Sequence, residues 1–170
     1  IKKSITPNTK ALLPVHIFGQ PCDMAPIMEL AEKHNIVVIE DACESIMAEY
    51  KHKKTGTFGL ASTFAFYPNK QITTGEGGMI VTDDKEVYEV CKSLRNQGRS
   101  DDDEWLEHNR IGYNYRLNEI SCALGIVKLK KIDYIIKKRT ELAEKYNKAL
   151  EDIDNIIKPF SKLLKCFLKN

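Results

Sequence analysis

Two side chains of opposite charge follow short apolar segments of the chain and have the chemistry of a reactive pair. Asp41 ends the run "IVVIED" (residues 36–41), and Lys70 comes two residues after "FAFYP" (residues 64–68). A desolvated lysine loses its proton more readily and can then attack a carbonyl carbon. A buried carboxylate needs a positive partner, and a protonated heterocycle would serve. Each residue also has an ordinary interpretation, a turn or cap carboxylate for Asp41 and a surface ammonium for Lys70.

Weaker signals lie near these two positions. The segment "GEGG" (residues 75–78) follows Lys70. Glycines allow close approach of the backbone to a ligand, although such a segment alone usually marks a hairpin turn. His16 stands near the end of an apolar run, and we interpret it as a core or supporting histidine. Asn114 and Arg116 precede a long helical segment. They are candidates for capping that helix or for binding an anion.

Strand and helix signals alternate along the first hundred residues and position these side chains. The patterns predict a buried strand over 10–19, a helix over 24–35, strands over 36–42, 62–67 and 78–83, and a helix over 84–98. A strand, a helix and a second strand form the unit that builds a parallel sheet. If the strands ending near Asp41 and Lys70 are parallel neighbours, both residues lie at the carboxyl edge, where ligands bind in open α/β sheets.

The remaining third of the chain predicts one loop and one long helix. Residues 100–110 are acidic and polar, which is typical of a loop. A helical pattern then runs over 118–155, with Asn118 as its N-cap. Its length predicts a helix that leaves the domain.

The overall composition excludes several classes of protein. The chain has 170 residues, 42% of them hydrophobic and 29% charged, which indicates one ordinary globular domain. A net charge of +2 gives no strong attraction to nucleic acid. No apolar run approaches the ~18 residues that span a membrane.

The five cysteines form no CxxC pair, which argues against a disulfide framework and a zinc site. We expect most of them to be reduced and buried, and the protein to be cytoplasmic.

Five segments, in this order, resemble the sugar aminotransferases of the DegT/DnrJ/EryC1/StrS family. They are "LLPVHIFGQPCDM", "VVIEDACES", "GTFGLASTFAFYPNKQITTGEGGMIVTDD", "SLRNQGR" and "IGYNYRLNEISCALG". The resemblance implies an α/β fold of three αβα layers with a mainly parallel sheet, the fold-type-I architecture of pyridoxal 5′-phosphate (PLP) transferases. It assigns residues 1–117 to part of the PLP-binding large domain and 118–155 to a helix leading toward a small C-terminal domain. Residues 156–170 would be a divergent or truncated tail.

The resemblance also implies a role for individual residues. Lys70 is the lysine that binds PLP as a Schiff base and then moves a proton as base and acid. Asp41 pairs with the pyridinium nitrogen. Asn114, with Arg116 as the alternative, reaches across a homodimer interface to the phosphate of the partner's cofactor. The implied reaction transfers an amino group, commonly from glutamate, to a keto group of a nucleotide-linked sugar, and its products supply surface-polysaccharide, glycan or antibiotic pathways.

The chain departs from the family pattern at two positions near the expected cofactor. Glu44 stands where many members have glutamine beside the ring hydroxyl, and a second carboxylate near Asp41 needs a proton or a partner. Ala65 stands where many members have a phosphate-binding serine. We expect Ser62, Thr63 or backbone amides to take over that contact.

The chain has about half the length typical of the family. We therefore expect a fragment or a truncated gene product that binds PLP poorly when isolated.

Two alternatives to an aminotransferase remain. The first is a non-catalytic relative that serves as a binding or regulatory module, which the two departures support. The second is a nucleotide-binding α/β domain, which the absence of a GxGxxG or P-loop segment after the first strand opposes.

Overall fold

The computed structural model describes residues 1–99 and 107–156 of the chain. The strands found there are β1 (Ala11–Leu12), β2 (Val37–Asp41), β3 (Glu49–Tyr50), β4 (Lys53–Lys54), β5 (Ala61–Ala65) and β6 (Gly78–Val81). The α-helices found there are α1 (Met24–His34), α2 (Lys85–Arg95), α3 (Glu119–Lys130) and α4 (Ile132–Ala149). None of these helices is long and apolar enough to cross a membrane.

The main sheet has the strand order β1-β2-β5-β6, and β3 and β4 form a separate antiparallel pair. β2 lies parallel to both β1 and β5, with Asp41 opposite Thr63. β6 is antiparallel to β5, with Gly78 opposite Ala65, and the connection between these two strands contains no helix. The predicted α/β fold with a mainly parallel sheet is confirmed, and β6 is its antiparallel edge.

Helix α1 provides the crossover from β1 to β2 and covers the sheet there. Its buried residues Met24, Ile27 and Ala31 recur at helical spacing and pack with Val38 of β2. The helix ends at Asn35, which adopts φ 51° and donates its N–H to the carbonyls of Ala31 and Glu32. This packing holds β2 in place and thereby positions the residues at its carboxyl end.

The strand predicted over 10–19 is much shorter than expected. After β1 only Val15 makes a further bridge, to Asp41. A 3₁₀ turn over Ile17–Gly19 follows, within which Phe18 has φ 53°. Pro14 has no N–H to donate to a ladder, and His16 turns into the interior, so the chain bends where the apolar pattern indicated a continuous strand.

The helix predicted over 118–155 is two helices. α3 and α4 are separated by Lys131, whose φ of −106° and ψ of 9° leave the helical range, and whose N–H bonds to Lys128 in a tighter turn. α4 ends at Ala149, well before residue 155. Asn118 caps α3 as predicted, since its Oδ1 accepts the N–H of Ser121 at 2.9 Å.

Two other predicted segments lie only partly within the described residues. Most of the loop predicted over 100–110 lies outside them, as does nearly all of the tail over 156–170. Four cysteines lie within them and carry free thiols, but they are half-buried rather than buried: Cys22, Cys43, Cys91 and Cys122.

Candidate active site

Lys70 forms an ion pair with Glu44 at the carboxyl edge of the sheet. The chain turns after β5, where the Lys70 N–H donates to the Tyr67 carbonyl at 3.0 Å. Lys70 Nζ then lies 2.9 Å from Glu44 Oε1, and the two side chains are 16% and 29% exposed. The partner that Glu44 needed is therefore the lysine that the sequence singled out.

Further contacts hold Glu44 in this position. Its Oε2 accepts the Phe18 N–H at 2.9 Å, and its backbone carbonyl accepts from the Gln71 side-chain amide. The Phe18 N–H, followed by Lys70, lowers the pKa of Glu44, while the negative charge of Asp41 opposes this shift. Glu44 is therefore ionised at neutral pH and bound on both oxygens.

Asp41 lies at the end of β2, beside this pair. Its Oδ1 accepts the Cys43 N–H at 3.0 Å. Its backbone N–H donates to Pro14 at 2.9 Å, and its carbonyl accepts the His16 N–H at 3.0 Å. Asp41 ends β2, Glu44 follows three residues later, and Lys70 is bonded to Glu44, so the three residues lie at the same edge of the sheet.

The Cys43 thiol lies among these groups and is uncharged. Burial raises its pKa, and the adjacent Asp41 adds to the effect. Its Sγ lies 3.6 Å from Thr63 Oγ1, on the neighbouring strand. Thr63 thus faces this site, as expected of a residue paired with Asp41 in the sheet.

A second carboxylate, Glu40, lies on the opposite face of β2 from Asp41 and is completely buried together with His16. His16 Nε2 lies 2.9 Å from Glu40 Oε2. Three backbone N–H groups also donate to the Glu40 carboxylate at 2.6–2.9 Å: those of Gly56, Phe58 and Gly59. Burial raises the pKa of Glu40, but His16 and these donors outweigh burial and hold the pKa below its ordinary value.

His16 is a core histidine, in agreement with our interpretation, but we did not single out its partner Glu40. The signal was present in the sequence: an acidic residue inside the apolar strand "VVIED" must find a partner when the strand is buried.

Not all of the groups proposed to bind the phosphate in place of the missing serine at position 65 can reach the site. Ser62 is completely buried and donates to the Gly56 carbonyl at 2.9 Å, so it does not reach the site. Thr73 donates to the Phe66 carbonyl and accepts the Gly75 N–H, each at 2.9 Å. The glycine segment thus forms the turn between β5 and β6, with Gly75 at φ 87°.

Asn114 and Arg116 lie in an exposed segment that precedes α3. The Arg116 Nε donates to Asn114 Oδ1 at 3.1 Å, and the backbone of Asn114 bridges to Asn96. Arg116 also lines a shallow, open depression between the glycine turn and the start of α3. In the described part of the chain, no hydrogen bond or ion pair joins Asn114 to Asp41, Glu44 or Lys70.

Solved structures of aminotransferases and of a related dehydratase share this arrangement of strands and helices. The Helicobacter pylori aminotransferase PseC, involved in the biosynthesis of pseudoaminic acid, superposes with a TM-score of 0.90 at 37% identity, covering 97% of this chain and 44% of that one. Escherichia coli GDP-4-keto-6-deoxy-D-mannose-3-dehydratase, solved with bound hydrated PLP, has a TM-score of 0.80 at 36% identity and covers 89% and 43%. The fold is therefore that of the PLP-dependent aminotransferases.

The DegT/DnrJ/EryC1/StrS aminotransferase family model matches residues 1–163. The chain belongs to this family. The GDP-perosamine synthase of Escherichia coli O157:H7 is 44% identical over 158 residues, which cover 93% of this chain and 43% of the relative. The chain thus spans about two fifths of the length of the relatives it matches.

Proposed function

We propose that the chain is part of a PLP-dependent aminotransferase that moves an amino group, from glutamate, to a keto group of a nucleotide-linked sugar. The observation that carries the proposal is the ion pair of Lys70 and Glu44 beside Asp41 at the carboxyl edge of the sheet. A family of sugar aminotransferases and the similarity to a GDP-perosamine synthase support the substrate class.

The residues of this site have the chemistry that PLP requires. Lys70 has a primary amine at a sheltered sheet edge and can form a Schiff base with an aldehyde. The Asp41 carboxylate can stabilise a protonated ring nitrogen. PLP, when bound, supplies an electron sink for the bonds broken in amino-group transfer. Glu44 would hold Lys70 in the site whenever the Lys70 amine is not bonded to PLP. The Phe18 N–H orients one oxygen of Glu44, and the other oxygen contacts Lys70.

Lys70 also distinguishes amino transfer from dehydration in this proposal. In some members of the family a histidine replaces this lysine, and those members are sugar dehydratases. Lys70 has an amine that can bond to an aldehyde and then return a proton, whereas an imidazole serves only as an acid and base.

We include a homodimer with shared sites in the proposal, with Asn114 reaching the phosphate of the partner's cofactor. The segment around Asn114 exposes large apolar side chains, with Ile111 92% and Ile120 84% exposed. Exposed apolar surface of this kind marks protein interfaces. Arg116 remains the alternative phosphate ligand, since it lies beside Asn114.

Reductive trapping tests the role of Lys70. The chain is incubated with excess PLP and reduced with borohydride, and the modified lysines are mapped by mass spectrometry. Excess PLP makes the experiment informative even if affinity is low. We expect the Lys70 adduct to dominate and to disappear in Lys70→Ala.

Lys54→Ala is the matched control, because Lys54 is also paired with a glutamate, Glu49 at 3.1 Å, but on the surface. It should leave the Lys70 adduct unchanged. Equal labelling of Lys70 and surface lysines would contradict a selective PLP site at Lys70 in this chain and favour a non-catalytic aminotransferase-like module.

A further inference from the structure

Phe18 has an unfavourable backbone conformation, and its backbone N–H makes a hydrogen bond to the candidate site. Phe18 adopts φ 53° and ψ 30°, the left-handed region that a residue with a side chain rarely enters. Its ring is 81% exposed, so side-chain packing does not hold it there. Its N–H, however, donates to Glu44 Oε2 at 2.9 Å. Strained residues persist where the surrounding structure over-determines them, often at functional sites.

The groups that hold this turn lie on its N-terminal side, at His16. The His16 side chain contacts Glu40, while its backbone N–H donates to the Asp41 carbonyl at 3.0 Å. Its Nδ1 accepts the Cys22 N–H at 3.1 Å. Since Nδ1 is an acceptor, the ring proton is on Nε2, and the neutral imidazole donates to the Glu40 carboxylate.

We propose that the buried pair of His16 and Glu40 is a positioning device for Lys70. It fixes the turn at residues 17–19 so that the Phe18 N–H orients the Glu44 carboxylate toward Lys70. The path runs from Glu40 to His16 by a hydrogen bond and along the backbone from His16 to Phe18. It continues by hydrogen bonds from the Phe18 N–H to Glu44 and from Glu44 to Lys70. His16 and Glu40 are positioning residues, since neither contacts Lys70. The value of positioning Lys70 rests on the proposed function, whereas the hydrogen-bonded arrangement itself does not.

The proposal explains why two completely buried ionisable groups are retained beside the site. A buried pair contributes little net stability compared with apolar residues of the same size, because both groups must leave water. It does impose geometry, since Glu40 accepts four hydrogen bonds in fixed directions. That geometry is transmitted through only two residues of chain, from His16 to Phe18.

The carboxyl titration of Glu44, followed by NMR, reports the state of this path without any cofactor. The charged groups facing Glu44 are Lys70 and Asp41. In the unchanged chain we expect a midpoint below the ordinary value of about 4.3. The Phe18 amide shift should change with the same midpoint.

Two substitutions of His16 separate positioning from general destabilisation. Asparagine in His16→Asn keeps an acceptor for Cys22, but its amide is too short to reach Glu40 as His16 Nε2 does, so we expect the Glu44 midpoint to rise toward about 4.3. Glutamine in His16→Gln keeps the donor, and we expect it to restore most of the shift. Phe18→Gly retains the N–H and accepts the positive φ, and should leave the midpoint unchanged. His34→Gln, at an exposed histidine, is the control.

The proposal is overturned if His16→Asn lowers thermal stability while the Glu44 midpoint stays where it was. It is also overturned, with no substitution needed, if the Phe18 amide does not follow Glu44 in the unchanged chain. Trapping of PLP on Lys70 is measured separately on the same samples. If PLP is trapped on Lys70 but the Glu44 midpoint does not respond to His16→Asn, the proposed function stands and the positioning role of His16 and Glu40 is wrong. If the midpoint responds but no adduct forms on Lys70, the positioning role stands and the proposed function is contradicted.

Discussion

At the scale of single residues, three carboxylates within five positions have three different environments. Glu40 and Asp41 are consecutive and therefore point to opposite faces of β2, one into the interior and one to the sheet edge. Glu44 lies in the turn after the strand and is bound by Lys70. The same chemical group thus serves as a buried acceptor of four hydrogen bonds, an edge carboxylate that accepts the Cys43 N–H, and the counterion of a lysine.

Glu44→Gln tests the ion pair at this scale. An amide offers one acceptor oxygen, whereas both oxygens of Glu44 accept, one from Phe18 and one from Lys70. We expect the free energy of unfolding at pH 7 to fall by about 1 kcal/mol. The folded pKa of Glu44 is lowered, so its stabilisation is complete above the unfolded value of about 4.3 and is lost as pH falls through the folded value.

Urea unfolding of both chains at neutral and strongly acidic pH measures this difference. It should shrink toward zero in acid. Glu49→Gln is the control, because its pair with Lys54 is exposed and should contribute little. A difference that is equally large at both pH values would rule out the charge of Glu44 as its origin.

At the scale of elements, hydrogen bonds to β2 hold the connection between β4 and β5 in place. Three of its backbone N–H groups donate to Glu40, and the Leu60 N–H donates to the Val38 carbonyl at 2.8 Å. Gly59 lies directly against β2 in this connection. A Cβ there would stand 2.3 Å from the Val38 carbonyl oxygen, which is backbone and cannot move aside easily.

Gly59→Ala tests this close approach. We expect the free energy of unfolding to fall by about 2 kcal/mol, since either β2 or the connection must shift. Gly125→Ala is the control: its Cβ would meet only the Thr74 side chain, at 3.2 Å, and alanine is the better helix former within α3. Thermal or urea unfolding compares the two variants. An equal, small effect of both would show that the connection is not pressed against β2.

At the scale of the whole molecule, the antiparallel edge and the segment beside α3 are among the places where large apolar side chains are exposed. β6 is exposed along its length, including Met79 and Ile80. The segment that precedes α3 and the first turn of α3 expose Ile111, Tyr115 and Ile120. A sheet edge and apolar side chains left uncovered in this way are typical of surfaces that meet another chain.

Ile120→Glu tests the proposed homodimer. We expect the chain to self-associate with rising concentration in sedimentation velocity, and the substitution to abolish this by placing a charge in the interface. Ile120 is 84% exposed, so the fold of the single chain should be unaffected. Ile1→Glu, an equal change at another exposed position, is the control. A monomer at every concentration, with or without the substitution, would contradict the dimer.

The sequence predicted α1, β2, β5, β6 and α2, and the sheet edge near which Lys70 and Asp41 lie. These depend on local patterns: the helical spacing of Met24, Ile27 and Ala31, the cap at Asn118, and the apolar runs that end at the site. Each such signal lies within a few residues of what it predicts, so it can be read along the chain.

Only the tertiary structure decided which groups contact one another. Glu44 binds a lysine 26 residues away, and Glu40 binds a histidine 24 residues away. The bend after β1 arises because His16 turns inward to Glu40, a contact that no local pattern contains. Partners of charged groups are set by which strands become neighbours and by which face each side chain takes. That choice depends on the burial of the whole sheet, not on any one of its segments.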